Sequence, residues 1–165
     1  MTETLKRMSE PTADLPEGFK MTELGPLPKE WQVTPLGEVV SFSRRKKIEI
    51  NPDQLIPFIP MALLPEDGLY IKRWEMRHPS EIRSGVFFQK GDFLLAKITP
   101  CFENGKQGIV QNFPVHWGIA TTEVFPIRTG DNLYCEFLAM YLKLPSVRAS
   151  LEEKMQGTTG RKRLS

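Results

Sequence analysis

Cysteine and histidine are scarce in this sequence, two of each in 165 residues. Cys101 and Cys135 have neither metal-ligand spacing nor the pattern of a disulfide framework, so they read as reduced thiols. His78 stands beside Arg77 and Pro79, and His116 beside Trp117. Far apart and without neighbouring ligand types, both read as structural histidines. No apolar run approaches the length of a membrane span. Met1–Glu10 alternates charged and polar residues instead of showing an export pattern. These absences point to a cytoplasmic protein without a membrane association. An excess of one charge is missing too. The net charge is only +2, so any binding of anions has to come from local basic patches.

What is present is proline, 14 residues of it, within an otherwise ordinary balance of 40% apolar and 25% charged residues. Residues 1–28, rich in Pro, Glu, Thr and Gly, read as an extended N-terminal arm, and 29–165 as the folded domain. Trp31–Val40 is the first packing group, with Leu36, Val39 and Val40 at helical spacing behind Pro35. Short strand signals follow, broken by Pro and Gly. They are Phe58–Met61, Gly68–Lys72, Phe93–Ile98, Gln107–Gln111 and Gly118–Ile127. Phe93–Ile98 is nearly all apolar and suits a strand covered on both faces. Asp131 or Asn132 then caps a helix with Tyr134, Phe137, Leu138, Tyr141 and Leu142 on a core-facing stripe, stopped by Pro145. Ser146 caps a second helix carrying Val147, Leu151 and Met155, ended by Gly157. Strands come first and helices last, without strand–helix alternation. The expected fold is α+β, mostly β, with short strands and C-terminal helices.

No catalytic chemistry assembles from these residues. Asn51-Pro52-Asp53-Gln54 lacks the second proline and the aromatic of an adenine amino-methyltransferase loop. No glycine-rich strand–turn–helix is there to hold a methyl donor. Glu103 and Lys106 do not form the strand-borne Glu-x-Lys of a metal nuclease, and Glu152-Glu153-Lys154 falls on a helix. Gly105-Lys106 is followed by Gln107 where a phosphate-binding loop needs Ser or Thr. The chain therefore reads as a non-enzyme without a metal or cofactor. A DNA-reading surface survives. Arg44-Arg45-Lys46-Lys47 and Arg161-Lys162-Arg163 are compact basic clusters suited to phosphates. Lys97, Thr99, Asn104, Lys106, Thr121, Thr122 and Glu123 bring side chains that pair with base edges or phosphates to loops and strand ends. The same residue types also make an ordinary solvated rim, and composition does not separate the two.

Four segments, in this order, resemble the specificity subunits of type I restriction–modification systems. Leu27-Pro28-Lys29-Glu30-Trp31 with Leu36-Gly37-Glu38-Val39 is similar to the opening segment of that family. Lys90-Gly91-Asp92-Phe93-Leu94-Leu95-Ala96-Lys97-Ile98 is similar to its central Gly-Asp strand. Thr99–Lys106 with Ala120-Thr121-Thr122-Glu123-Val124 resembles a loop-and-strand pair of one group. Gly157–Ser165 is similar to its glycine-rich exit. The resemblance implies a single target-recognition domain that reads one half of a bipartite site in double-stranded DNA. It implies partner subunits, a methyltransferase that modifies adenine and a restriction subunit that cuts, and no chemistry in this chain itself. It also places Ser165 where a spacer helix would begin. A protein-interaction module, a partial specificity subunit that self-associates or docks modification subunits, is the second expectation. The expected DNA contacts are Arg44, Arg45, Lys46, Lys47, Lys97, Thr99, Asn104, Lys106, Thr121, Thr122, Glu123, Thr158, Thr159, Arg161 and Lys162. Asn104 is the expected base reader, with Lys97 and Lys106 toward phosphates.

Overall fold

The computed structural model of the chain describes residues 15–44 and 49–165. Arg45, Lys46 and Lys47 of the first basic cluster lie outside the described residues. The chain divides into two compact units, Met1–Pro35 and Leu36–Ser165. The described part of the first unit is a hairpin of β1 (Phe19–Thr22) and β2 (Gly25–Pro28), closed by the Thr22 hydroxyl donating to the Gly25 carbonyl. Trp31 and Val33, expected to pack, are exposed.

The second unit opens with the short helix α1 (Leu36–Val39), as Pro35 and the apolar spacing predict, and runs directly into β3 (Val40–Phe42). Two four-stranded sheets follow. In the first, β3 pairs with β10 (Val124–Thr129), β10 with β7 (Phe93–Ala96) and β7 with β8 (Gln107–Ile109), all antiparallel. In the second, β5 (Glu75–Arg77), β4 (Ile56–Ile59), β9 (Trp117–Ala120) and β6 (Val86–Gln89) lie in that order, with β4 and β9 parallel. Residues along β7 alternate between two cores. Leu94 and Ala96 join Ile59, Phe88, Ala120 and Val124 between the sheets. Phe93 and Leu95 join Ile127, Leu138, Leu142 and Leu164 beneath the helices α2 (Cys135–Tyr141) and α3 (Pro145–Glu152). Every β7 residue is therefore buried, which is why its sequence shows no polar alternation. The result is a three-layer α+β domain. Among the described residues, no helix is long and apolar enough to cross a membrane.

Several expectations change at this level. Gly118–Ile127, read as one strand, is two strands in different sheets, broken at Thr121–Glu123. Gly68–Lys72 contributes a single bridge, Tyr70 to Ile109, in place of a full strand. α2 is capped at Tyr134 without a side-chain bond, not at Asp131 or Asn132. Pro145 opens α3 at its first position, so Ser146 lies inside that helix, and Met155 packs into the core just beyond its end. The stripe on α2 is only partly core. Leu138 and Leu142 are buried, whereas Tyr134 is 84% exposed and Phe137 43%.

Candidate nucleic-acid interface

The Thr99–Lys106 loop is wound on its own backbone. Asn104 N–H donates to the Pro100 carbonyl, Gly105 to Phe102 and Lys106 to Cys101, across a cis Thr99–Pro100 peptide. Phe102 is fully buried beneath the helices, and Gly105 turns with φ +78°, a conformation that favours glycine. The Thr99 hydroxyl donates to Glu103 Oε1 at 2.7 Å. Lys106, expected toward phosphates, is held internally. Its Nζ donates to the Met61 and Leu64 carbonyls and lies 3.7 Å from Glu66 Oε1. The glycine and lysine of this loop thus serve its closure first.

Behind the loop lies a buried polar network that local patterns in the sequence do not reveal. Gln107 Nε2 donates to the Ala139 carbonyl at 2.7 Å, and Arg148 Nη2 donates to Gln107 Oε1 at 2.6 Å. Arg148 Nη1 also reaches the Phe102 carbonyl, with the guanidinium 4.4 Å from the centre of the Phe102 ring. Only 7% of Arg148 is exposed. Burial draws its pKa below the ordinary guanidinium value, and Glu152 opposes the shift. A cation normally read as a solvated helix residue therefore ties α3 to the loop and to β8.

Asp92 is the second hidden anchor. Fully buried, it accepts from the Gln89 backbone at 2.6 Å and from the Ser43 hydroxyl, and its other oxygen pairs with Arg128. One carboxylate so fixes the Gly91-Asp92 turn, the end of β3 and β10. Burial, and after it the charges of Glu136 and Asp92, push the Cys135 thiol up to about 11, with Arg128 opposing. At neutral pH that sulfur is a protonated thiol and a poor nucleophile.

The residues that do meet lie at the far end of β7. Lys97 N–H donates to the Glu123 carbonyl and Leu164 N–H to the Lys97 carbonyl. Thr99 N–H donates to the Lys162 carbonyl, and Ile98 bridges to Arg163. Leu164 is buried in the helix-side core. These contacts dock a two-stranded ribbon, β11 (Gln156–Thr158) and β12 (Arg161–Arg163), onto the sheet. Every strand residue of the ribbon is exposed. Arg163 Nη2 lies 2.7 Å from both oxygens of Glu123. Lys97 Nζ sits 5.1 Å above the Phe125 ring, which contacts the exposed Phe42 at 5.4 Å. Arg44 is exposed two residues beyond Phe42.

The structure thus brings Lys97, Thr99, Glu123 and Lys162 together, and Thr158, Thr159 and Arg161 lie farther out on the ribbon that Lys162 anchors. Thr121 and Thr122 lie in the turn between the sheets, where the Thr121 hydroxyl accepts from Glu123 N–H at 3.4 Å. Asn104 lines a different, open cleft together with Glu66, Asp67, Glu103, Lys143, Arg148 and Glu152. Four carboxylates against two cations make that cleft a poor approach for a phosphate backbone.

Over 99% of its length the chain aligns with the EcoAI specificity subunit of Escherichia coli, 32% identical across 183 residues. Its relatives are specificity subunits of type I restriction enzymes. The EcoEI specificity subunit of Escherichia coli matches the same share of the chain at 31% identity. The chain spans 30% of the length of each of these specificity subunits. The crystal structure of the HsdS subunit from Thermoanaerobacter tengcongensis has the same fold, with a TM-score of 0.62 over 94% of this chain and 37% of that one, at 19% identity. No family model matches the sequence.

Proposed function

We propose that this chain is a target-recognition domain that reads one half of a bipartite sequence in double-stranded DNA. By this reading it directs adenine methylation and cleavage by partner modification and restriction subunits in the cytoplasm, and does no chemistry itself. One observation carries the proposal: the alignment with specificity subunits takes in 99% of the chain. The exposed basic ribbon docked against Lys97 supports it, because phosphates need clustered cations and the molecule as a whole has a net charge of only +2. In this reading Thr121 and Thr122, in the turn before Glu123, form the rim of this surface, and Asn104, in the separate acid-lined cleft, stands outside it.

Fluorescence anisotropy on random-sequence duplexes tests the reading. Binding is expected to weaken as a power of salt concentration, with a log–log slope of about −3 to −4 for the few phosphate contacts these cations can make. No binding at low salt, or a flat salt response, contradicts it.

A second reading, a protein-interaction module, rests on a separate observation. Tyr134, Phe137, Met140 and Leu144 give the start, middle and end of the α2 region a run of exposed apolar side chains. Runs of this kind mark surfaces that other proteins cover.

A further inference from the structure

We infer that the β11–β12 ribbon is a reading head for the major groove of duplex DNA, with Arg161 and Thr158 on its base-facing side. The inference rests on the DNA-binding reading above and names the groove and the residues. The register pairs Gln156 with Arg163, Gly157 with Lys162 and Thr158 with Arg161. Directly opposed residues share a face and successive ones alternate. Gln156, Thr158, Arg161 and Arg163 therefore lie on one face, and Lys162 lies alone on the other, opposite a glycine.

Width and side-chain chemistry select the groove. The major groove of B-DNA, about 12 Å wide, admits a two-stranded ribbon. Proteins that enter the minor groove, about 6 Å wide, commonly insert apolar wedges between base steps, whereas this tip is Thr159-Gly160. Lys162 and Arg163 are bonded to the sheet edge, so the Thr158–Arg161 pair and the Thr159-Gly160 turn project from it. At about 3.3 Å per residue that is a reach of about 7 Å, which the long Arg161 side chain extends to the major groove's depth of about 8.5 Å. The ribbon is also slender. Gly157 has φ +134°, and a Cβ there would sit 2.4 Å from the Arg161 carbonyl oxygen, so only glycine lets the strands close. The tip is Thr159-Gly160, with Gly160 at φ +77°.

The three cations of the ribbon have different tasks. Arg163 is held at the base by Glu123. Arg161, one pair farther out on the same face, is exposed beside Thr158. Its fork matches O6 and N7 of guanine, the commonest specific contact in the major groove. Lys162, on the opposite face, is placed for a phosphate. With Leu164 buried and Thr99 bonded to Lys162, the ribbon leaves the sheet from a fixed base, as a reading element needs.

Methylation interference tests this with the full chain and a duplex enriched from a random library by the wild-type protein. Dimethyl sulfate modifies guanine N7 in the major groove and adenine N3 in the minor groove. Interference is expected at one or more guanine N7 positions and is expected to vanish there in Arg161→Ala, with a loss of about 5- to 150-fold in affinity for the enriched duplex. Lys162→Ala is expected to weaken binding to enriched and random duplexes by the same factor. Arg161 is exposed, so both variants keep the wild-type melting temperature. Interference confined to adenine N3, or an unchanged N7 pattern in Arg161→Ala, overturns the inference and leaves DNA binding standing. No binding to any duplex overturns both.

Discussion

Glu123 illustrates how little of a side chain's partnership is visible in sequence. An acid behind two threonines at a strand end has the chemistry to accept from cytosine. In the fold its carboxylate is occupied by Arg163, forty residues away. That ion pair sits at the base of the ribbon. The side chains of this pair are 27% and 58% exposed, so its effect on global stability is expected to be below about 1 kcal/mol. Its effect on recognition is a separate quantity. Glu123→Gln is expected to lower the ratio of affinities for enriched and random duplexes by up to about fivefold. The charge-swapped pair, Glu123→Arg with Arg163→Glu, is expected to restore the ratio, because it rebuilds the contact at unchanged net charge. A ratio unmoved by Glu123→Gln, or a swap that fails to restore it, means Glu123 does not act through Arg163. Arg148 and Asp92 were illegible for the same reason. Their partners, Gln107 and Phe102 for the first and Ser43 and Arg128 for the second, are distant in sequence, and nothing local marks either charge as buried.

Among the elements, β7 was legible and its neighbours less so. An apolar run such as Phe93–Ala96 signals burial on both faces directly. Thr121–Glu123 did not signal a change of sheet, because a polar turn of three residues also fits within the alternation of a single strand. For α2, helical periodicity places Tyr134, Phe137 and Leu138 near one another but does not say what covers them. Only Leu138 reaches the core. The exposed remainder gives the interaction reading a test. If this stripe is a contact surface, light scattering of the wild-type chain should show a concentration-dependent dimer, or the chain should capture a modification methyltransferase. Met140→Lys, at a position 57% exposed, should abolish that association and shift stability by less than about 0.5 kcal/mol. A wild-type chain that is monomeric at all concentrations and captures no methyltransferase contradicts the interaction reading.

The fold class was legible in the whole molecule, since strands before helices without alternation imply α+β. The pairing was not. β3 joins β10, and β4 joins β9 in parallel, partnerships set by the two cores that no local pattern specifies. Composition named candidate residues without separating an interface from a solvated rim, and the fold groups them only in part: Lys97 and Thr99 are bonded to the basic ribbon segment, while Asn104 lines an acid-rich cleft. The central claim is sequence-specific reading of one half-site, and selection from a fully random duplex library tests it most directly. The chain is predicted to enrich one short uninterrupted motif, with each base change inside it costing about 1–3 kcal/mol. A library that emerges with no motif after repeated rounds, although binding is salt-dependent, would contradict the account.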